Sequence, residues 1–241
     1  MRSKWLRAEP LALTRFAQEK DETTMIKVSA FRWVPPFAQG LVRDLRVRWA
    51  LEEAGLPYEE KLIGQEDQKS ESYRRLQPFG QVPTYEENGL ELFESGAIVL
   101  HIAERSEALM PADPAARARA ITWMFAALNS LEPHLQSLAA IDLFYTNEEW
   151  AKLRRPGAVE MAKTRLASVA TWLDKREYLE DRFTVGDLLM TTVLRIPRHT
   201  DLVAQFPVLE AYRLRCEARP AFQKALAAQM APFAKNAPPK S

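Results

Sequence analysis

Residues 79–104, F-G-Q-V-P-T-Y-E-E-N-G-L-E-L-F-E-S-G-A-I-V-L-H-I-A-E, constrain this chain more than any other stretch. Two short apolar-rich runs, 82–85 and 90–93, flank Glu86, Glu87, Asn88 and Gly89. An Asn-Gly pair between such runs is the strongest short-range signal for a tight hairpin turn, so a β-hairpin is predicted here. After Phe93 the apolar period changes, and Ala97, Ile98 and Ile102 fall on one face of a helix. Glu94 and Ser95 stand just before that face, and Ser95 is expected to cap the helix.

Pro83 has no N–H to give to a sheet ladder, so it is expected to open its strand. An X-Pro bond prefers trans by only about 0.5 to 1 kcal/mol. A cis bond at Val82-Pro83 would turn the Val82 amide and carbonyl outward, where an extended peptide could pair with them by strand addition. The helix start nearby offers free N–H groups and a positive dipole end to a carboxylate. The Glu94 carboxylate suits an ammonium group. Together they fit the zwitterionic head of an amino acid.

A V-P step, a hairpin and then E-S-G-A-I resembles the glutathione-binding half of the glutathione S-transferase family. The run R-V-R-W-A-L-E-E-A-G-L-P-Y-E at 46–59 resembles the family's first helix and second strand. The resemblance implies that Val82, before a cis Pro83, pairs with the cysteinyl backbone of glutathione. It implies that Glu94 and Ser95 hold the γ-glutamyl head, with Gln81 as a further polar contact.

Taken in order, residues 26–33 alternate as a first strand, 41–54 carry helical ridges ended by Gly55-Leu56-Pro57, and 57–63 read as a second strand. A short helix around 70–76, the hairpin and a helix over 95–105 complete the order β-α-β-α-β-β-α. That order is the thioredoxin-like α/β topology the resemblance implies for an N-terminal domain at 25–105. Residues 106–114, with Pro111 and Pro114, read as a linker. Helical patterns then follow at 115–140, 156–176, 185–199, 208–218 and 221–230, predicting an all-helical C-terminal domain over 115–241. Pro133 is expected to kink the first of these helices. Thr184 followed by Asp187 is a capping-box pattern. The last residues, A-P-P-K-S, are expected to fray.

Residues 1–24 lack the apolar core of a secretory signal and contain acids that transit peptides avoid. They are expected to form a loosely ordered extension, with an amphipathic arm from Trp5, Leu6, Leu13 and Phe16 as the alternative. The 241 residues carry 33 basic and 32 acidic side chains, a balance that gives no reason to expect a nucleic acid or an anionic membrane as partner. No apolar run approaches the roughly 20 residues of a membrane span. A single Cys216 rules out an internal disulfide and points to a reducing, cytoplasmic setting.

Glutathione chemistry requires a thiol whose pKa is lowered by nearby donors or positive charge. Family members place a Tyr, Ser or Cys after the first strand, whereas residues 34–44 contain neither hydroxyl nor thiol. Three substitutes stand open: the N–H groups at 40–42, Arg43 as a cation, and Gln39 as a neutral donor. Trp33 and Phe37 are candidate walls of an apolar substrate site. Trp123, Phe125, Leu128, Leu131 and Trp172 read first as core, with some of them as the alternative lining of a cleft between the domains. Cys216 reads as a buried structural thiol. His101, His134 and His199 are scattered and support no metal site.

The resemblance thus implies a two-domain homodimer with glutathione as co-substrate, no metal, and a hydrophobic small molecule as second substrate. Its activity would be thiolate transfer to an electrophile or reduction of a peroxide. A glutathione or hydrophobic-ligand carrier that has lost the activating group is the alternative, and a scaffold that binds no glutathione is a third.

Overall fold

The computed structural model describes residues 25–238. The extension at 1–24 lies outside the described residues, as does most of the tail expected to fray.

Ile26–Phe31 forms β1, which buries Ile26, Val28 and Ala30 on the core side. The strand ends two residues short of the expected Trp33. Residues 35–43 then run as tight turns, with the Ala38, Gln39 and Leu41 amides bonded to the Pro35, Pro36 and Ala38 carbonyls. Gly40 sits at φ 76°, a left-handed value that L side chains rarely adopt and that interrupts any helix. Helix α1 therefore starts at Asp44 rather than 41 and runs Asp44–Ala54, closed by Gly55 at φ 68°. Next come β2 (Tyr58–Ile63), a single 3₁₀ turn (Asp67–Lys69) and α2 (Glu71–Leu76), which Ser70 caps through the Tyr73 amide.

The hairpin pairs β3 (Thr84–Glu87) with β4 (Leu90–Phe93), and Glu87 faces Leu90 across the turn. Asn88 and Gly89 take φ 49° and 79°, the two positive values that such a two-residue turn demands. Thr84, not Val82, is the first paired residue, facing Phe93 across the hairpin, and its amide donates to Ser29 Oγ at 2.6 Å. Helix α3 (Ser95–Ala103) follows directly. The sheet order is β2-β1-β3-β4, with β1 and β2 parallel and the other two neighbours antiparallel. This is a thioredoxin-like arrangement.

The rest is helical: α4 (Pro114–Phe125), α5 (Glu132–Phe144), α6 (Glu149–Leu173), α7 (Val185–Leu194), α8 (Pro207–Glu217) and α9 (Pro220–Lys235). The long helix expected over 115–140 is broken by a π-helical segment, Ala126–Leu131. Pro133 lies in the first turn of α5, directly after that segment, so the departure from regular α-helix falls in the turn before the proline rather than at it. Helix α6 begins well before the expected 156, and α7 stops at Leu194, ahead of Pro197.

Helix α1 joins the two parts. Trp49 is fully buried and packs edge-on against Phe222 of α9, with ring centroids 4.8 Å apart. Glu53 takes a two-pronged ion pair from Arg219 at 2.6 and 2.8 Å, and Gln229 of α9 donates to Asp44 at 2.7 Å. One continuous apolar core runs from Ile26 to Ala225 through both parts. No described helix is long and apolar enough to cross a membrane.

Candidate functional site

Where β4 hands over to α3, Glu94 is the cap residue, at φ 69° and ψ 112°. A non-glycine residue in so sparsely populated a region costs of order 1 to 3 kcal/mol and persists only where its surroundings hold it. Ser95 is already the first helical residue, so it does not cap α3 as expected. Its buried hydroxyl instead accepts from Arg46 Nη1 at 3.3 Å.

Glu94 and Ser95 border a cleft of about 600 Å³. Gln81, Gly96 and Ala97 lie on the same side, and Arg43 and Arg46 enter from the start of α1. The opposite wall is built by Met124 and Phe125 of α4, Leu128 and Asn129 of the π segment, and Glu132 and Gln136 of α5. The π segment comes close enough to α3 that a Cβ on Gly96 would stand 2.6 Å from Leu128 Cδ1. Phe125, read first as core, is 56% exposed and lines the cleft with Leu128, as the alternative reading had it, and Trp172 is 41% exposed beside Trp123.

The Val82-Pro83 bond is cis. Both residues are buried and neither lines the cleft, and the Val82 amide and carbonyl have no hydrogen-bond partner among the described residues. Beside them the Tyr73 hydroxyl donates to the Gln81 carbonyl at 2.7 Å.

Three charged groups interlock under the cleft. Glu132 accepts from Arg43 at 2.9 Å and from Arg46 at 3.0 Å, and Arg46 Nε donates to Thr192 Oγ1 at 3.1 Å. Burial pulls the Arg46 guanidinium below its ordinary pKa; Glu132 acts against that and Arg43 adds to it. Arg46 and Glu132 were not foreseen. A charged side chain on a helix ordinarily faces solvent, and only its place among Val47, Trp49 and Leu51 hinted otherwise.

The other foreseen residues divide. Arg43 lines the cleft; Gln39 does not, and its Nε2 donates to the Val34 carbonyl at 3.0 Å. Arg198 and Arg195, also unforeseen, hold the same loop by donating to the Phe37, Gln39 and Gly40 carbonyls. The Leu41 amide is spent on Ala38, whereas the Gly40 and Val42 amides have no partner among the described residues. Phe37 lines a neighbouring apolar hollow of about 200 Å³ with Leu41, Leu143 and Ile196, its ring edge-on to Phe144 at 5.4 Å. Gln136 borders both spaces. Trp33 is half-buried and lines neither. Cys216 is fully buried, and burial pushes its thiol up to about 12. Among the described residues, no group of three or more His, Cys, Asp or Glu side chains could hold a metal ion.

Residues 39–104 match the model of the glutathione S-transferase N-terminal domain. A glutathione S-transferase of Hyoscyamus muticus is 29% identical over 196 residues, spanning 76% of this chain and 92% of that protein. The glutathione S-transferase APIC of Nicotiana tabacum is 30% identical over 179 residues, spanning 66% of this chain and 80% of that protein. Among solved structures, a glutathione transferase of Burkholderia graminis superposes with a TM-score of 0.73 at 26% identity, covering 85% of this chain and 88% of that one. With relatives matched across both the sheet and the helical part, the chain belongs to the glutathione S-transferase family.

Proposed function

We propose that this protein binds glutathione in the cleft at the start of α3 and transfers its thiolate to a hydrophobic electrophile, or uses it to reduce a peroxide. The observation that carries this reading is the divided lining of the cleft. Gln81, Glu94 and Ser95 put polar groups on one side, and Met124, Phe125 and Leu128 put an apolar stretch on the other, beside the polar Asn129, Glu132 and Gln136. The Burkholderia graminis structure holds two glutathione molecules per subunit, which supports a glutathione site in this fold.

Glu94 accepts from the γ-glutamyl ammonium, while the Ser95 hydroxyl and the first amides of α3 hold the adjoining carboxylate. The free amide and carbonyl of Val82, before Pro83, pair with the cysteinyl backbone, and Gln81 adds a polar contact. Of the two side-chain candidates for activator, Arg43 reaches the cleft and Gln39 does not. Arg43, together with the Gly40 and Val42 amides that have no partner among the described residues, lowers the thiol pKa. The hollow beside Phe37 takes the apolar substrate. In this reading residues 25–105 form the glutathione-binding half and 115–241 the helical half, joined by 106–114. The chain works as a symmetric homodimer in the cytoplasm, a setting supported by its lone buried thiol.

Ser95→Ala and Glu94→Gln test the assignment by calorimetric titration with glutathione. Each is expected to weaken binding by about 1.5 to 3 kcal/mol, the worth of a hydrogen bond to a charged group, with the fold intact. Unchanged affinity in both variants would place the pocket elsewhere.

A further inference from the structure

Arg46 sits against the cleft, yet none of the roles above uses it. The residue is 4% exposed, and its three guanidinium nitrogens reach three helices. Nη1 meets Ser95 Oγ at the start of α3, Nη2 meets Glu132 Oε2 on α5, and Nε meets Thr192 Oγ1 on α7. Thr192 gives its own hydroxyl proton to the Leu189 carbonyl at 2.8 Å, which turns a lone pair toward Arg46.

A guanidinium donates and never accepts. The contact from Nη1 therefore occupies a lone pair of the Ser95 hydroxyl and leaves the hydroxyl proton free to point elsewhere. Ser95 Oγ has no other partner among the described residues, and Ser95 lines the cleft. A hydroxyl so fixed offers its proton to an acceptor, and although a second lone pair remains, the guanidinium beside it disfavours an ammonium there. Behind it stands a full positive charge in a poorly solvated place, where charges act further than at the surface.

We infer that Arg46 is a positioning residue: it fixes the polarity of the Ser95 hydroxyl and backs it with charge, so that this end of the cleft selects a carboxylate. Resting on the glutathione reading, this assigns the selected group as the α-carboxylate of the γ-glutamyl head. Glu94 nearby takes the ammonium, and the two together read the head's orientation. Glu132 and Thr192 hold the guanidinium in place.

The test compares glutathione with its analogue carrying a carboxamide in place of that α-carboxylate. Both are titrated into the wild type, Ser95→Ala, Arg46→Met and the double variant. The wild type is expected to prefer glutathione by at least about tenfold, the scale of one charge-assisted hydrogen bond. Each single variant is expected to lose most of that preference through weaker glutathione binding, with affinity for the carboxamide retained. The double variant is expected to fall no lower than the single ones. Arg46→Met weakening both ligands equally would make Arg46 a structural residue only and overturn the inference, as would an unchanged preference. If Arg46→Met does not fold, Thr192→Val loosens the guanidinium without removing its charge. A reduced preference is expected there, and an intact one overturns the inference. A wild type that binds no glutathione brings down the glutathione reading itself, whereas binding without the predicted preference brings down the role of Arg46 alone.

Discussion

Asp187 is fully buried, with donors directed at both of its oxygens. Oδ1 accepts from the Leu179 amide and the Tyr212 hydroxyl, and Oδ2 accepts from the Thr184 amide and hydroxyl. The capping box was legible because its spacing is local; the bonds to Leu179 and Tyr212 were not, since packing supplies them. Asp187→Ala would strand these donors in the core and is expected to cost about 3 kcal/mol. For a chain of this size the melting temperature would fall by roughly 6 to 12 °C. A variant that keeps its melting temperature but loses turnover would contradict a structural role. Cys216 makes a second residue-scale case. With burial pushing its thiol up to about 12, it is expected to react with a thiol reagent at pH 8 at least about 100-fold more slowly than in denaturant. Equal rates in the two states would contradict its burial. Ser95 was misread by one position: Glu-Ser before an apolar run marks a helix start, but the pattern does not say which residue is the cap.

Among the elements, the β3–β4 hairpin was legible to the turn residue, because Asn88 and Gly89 dictate their own backbone. The π segment was not, since A-A-L-N-S-L continues a helical pattern and no residue within it marks a change. Helix α1 was placed three residues early because Leu41 and Val42 extend its apolar pattern, while Gly40 and the preceding prolines prevent the helix from forming there. The contact between α4 and α7 shows how tightly such elements meet. A Cβ on Gly186 would stand 2.6 Å from Trp123 Cβ and 3.2 Å from the Ala120 carbonyl oxygen. Gly186→Ala is therefore expected to destabilise by about 1 to 3 kcal/mol despite alanine's better helix propensity. Unaltered stability in urea unfolding would show that the two helices can part at little cost.

For the whole molecule, the cleft exists because α1 holds a sheet part and a helical part against one another. Gln81, Glu94 and Ser95 lie close together in one stretch of sequence, which is why that side of the site could be read before the fold was known. The facing wall, from Met124 to Gln136, comes from helices that packing alone brings opposite α3, and no local pattern announces it. The same is true of the ion pairs that Arg43 and Arg46 make with Glu132, nearly 90 residues away in the chain. The thiol-activating group is the point on which the chemistry turns, because residues 34–44 hold no hydroxyl or thiol. Following glutathione thiolate absorbance across pH with saturating protein tests it most directly. The account predicts a bound thiol that ionises below the roughly 8.5 of a free cysteine. A glutathione that remains unbound, or one that binds with its thiol unshifted, would contradict it.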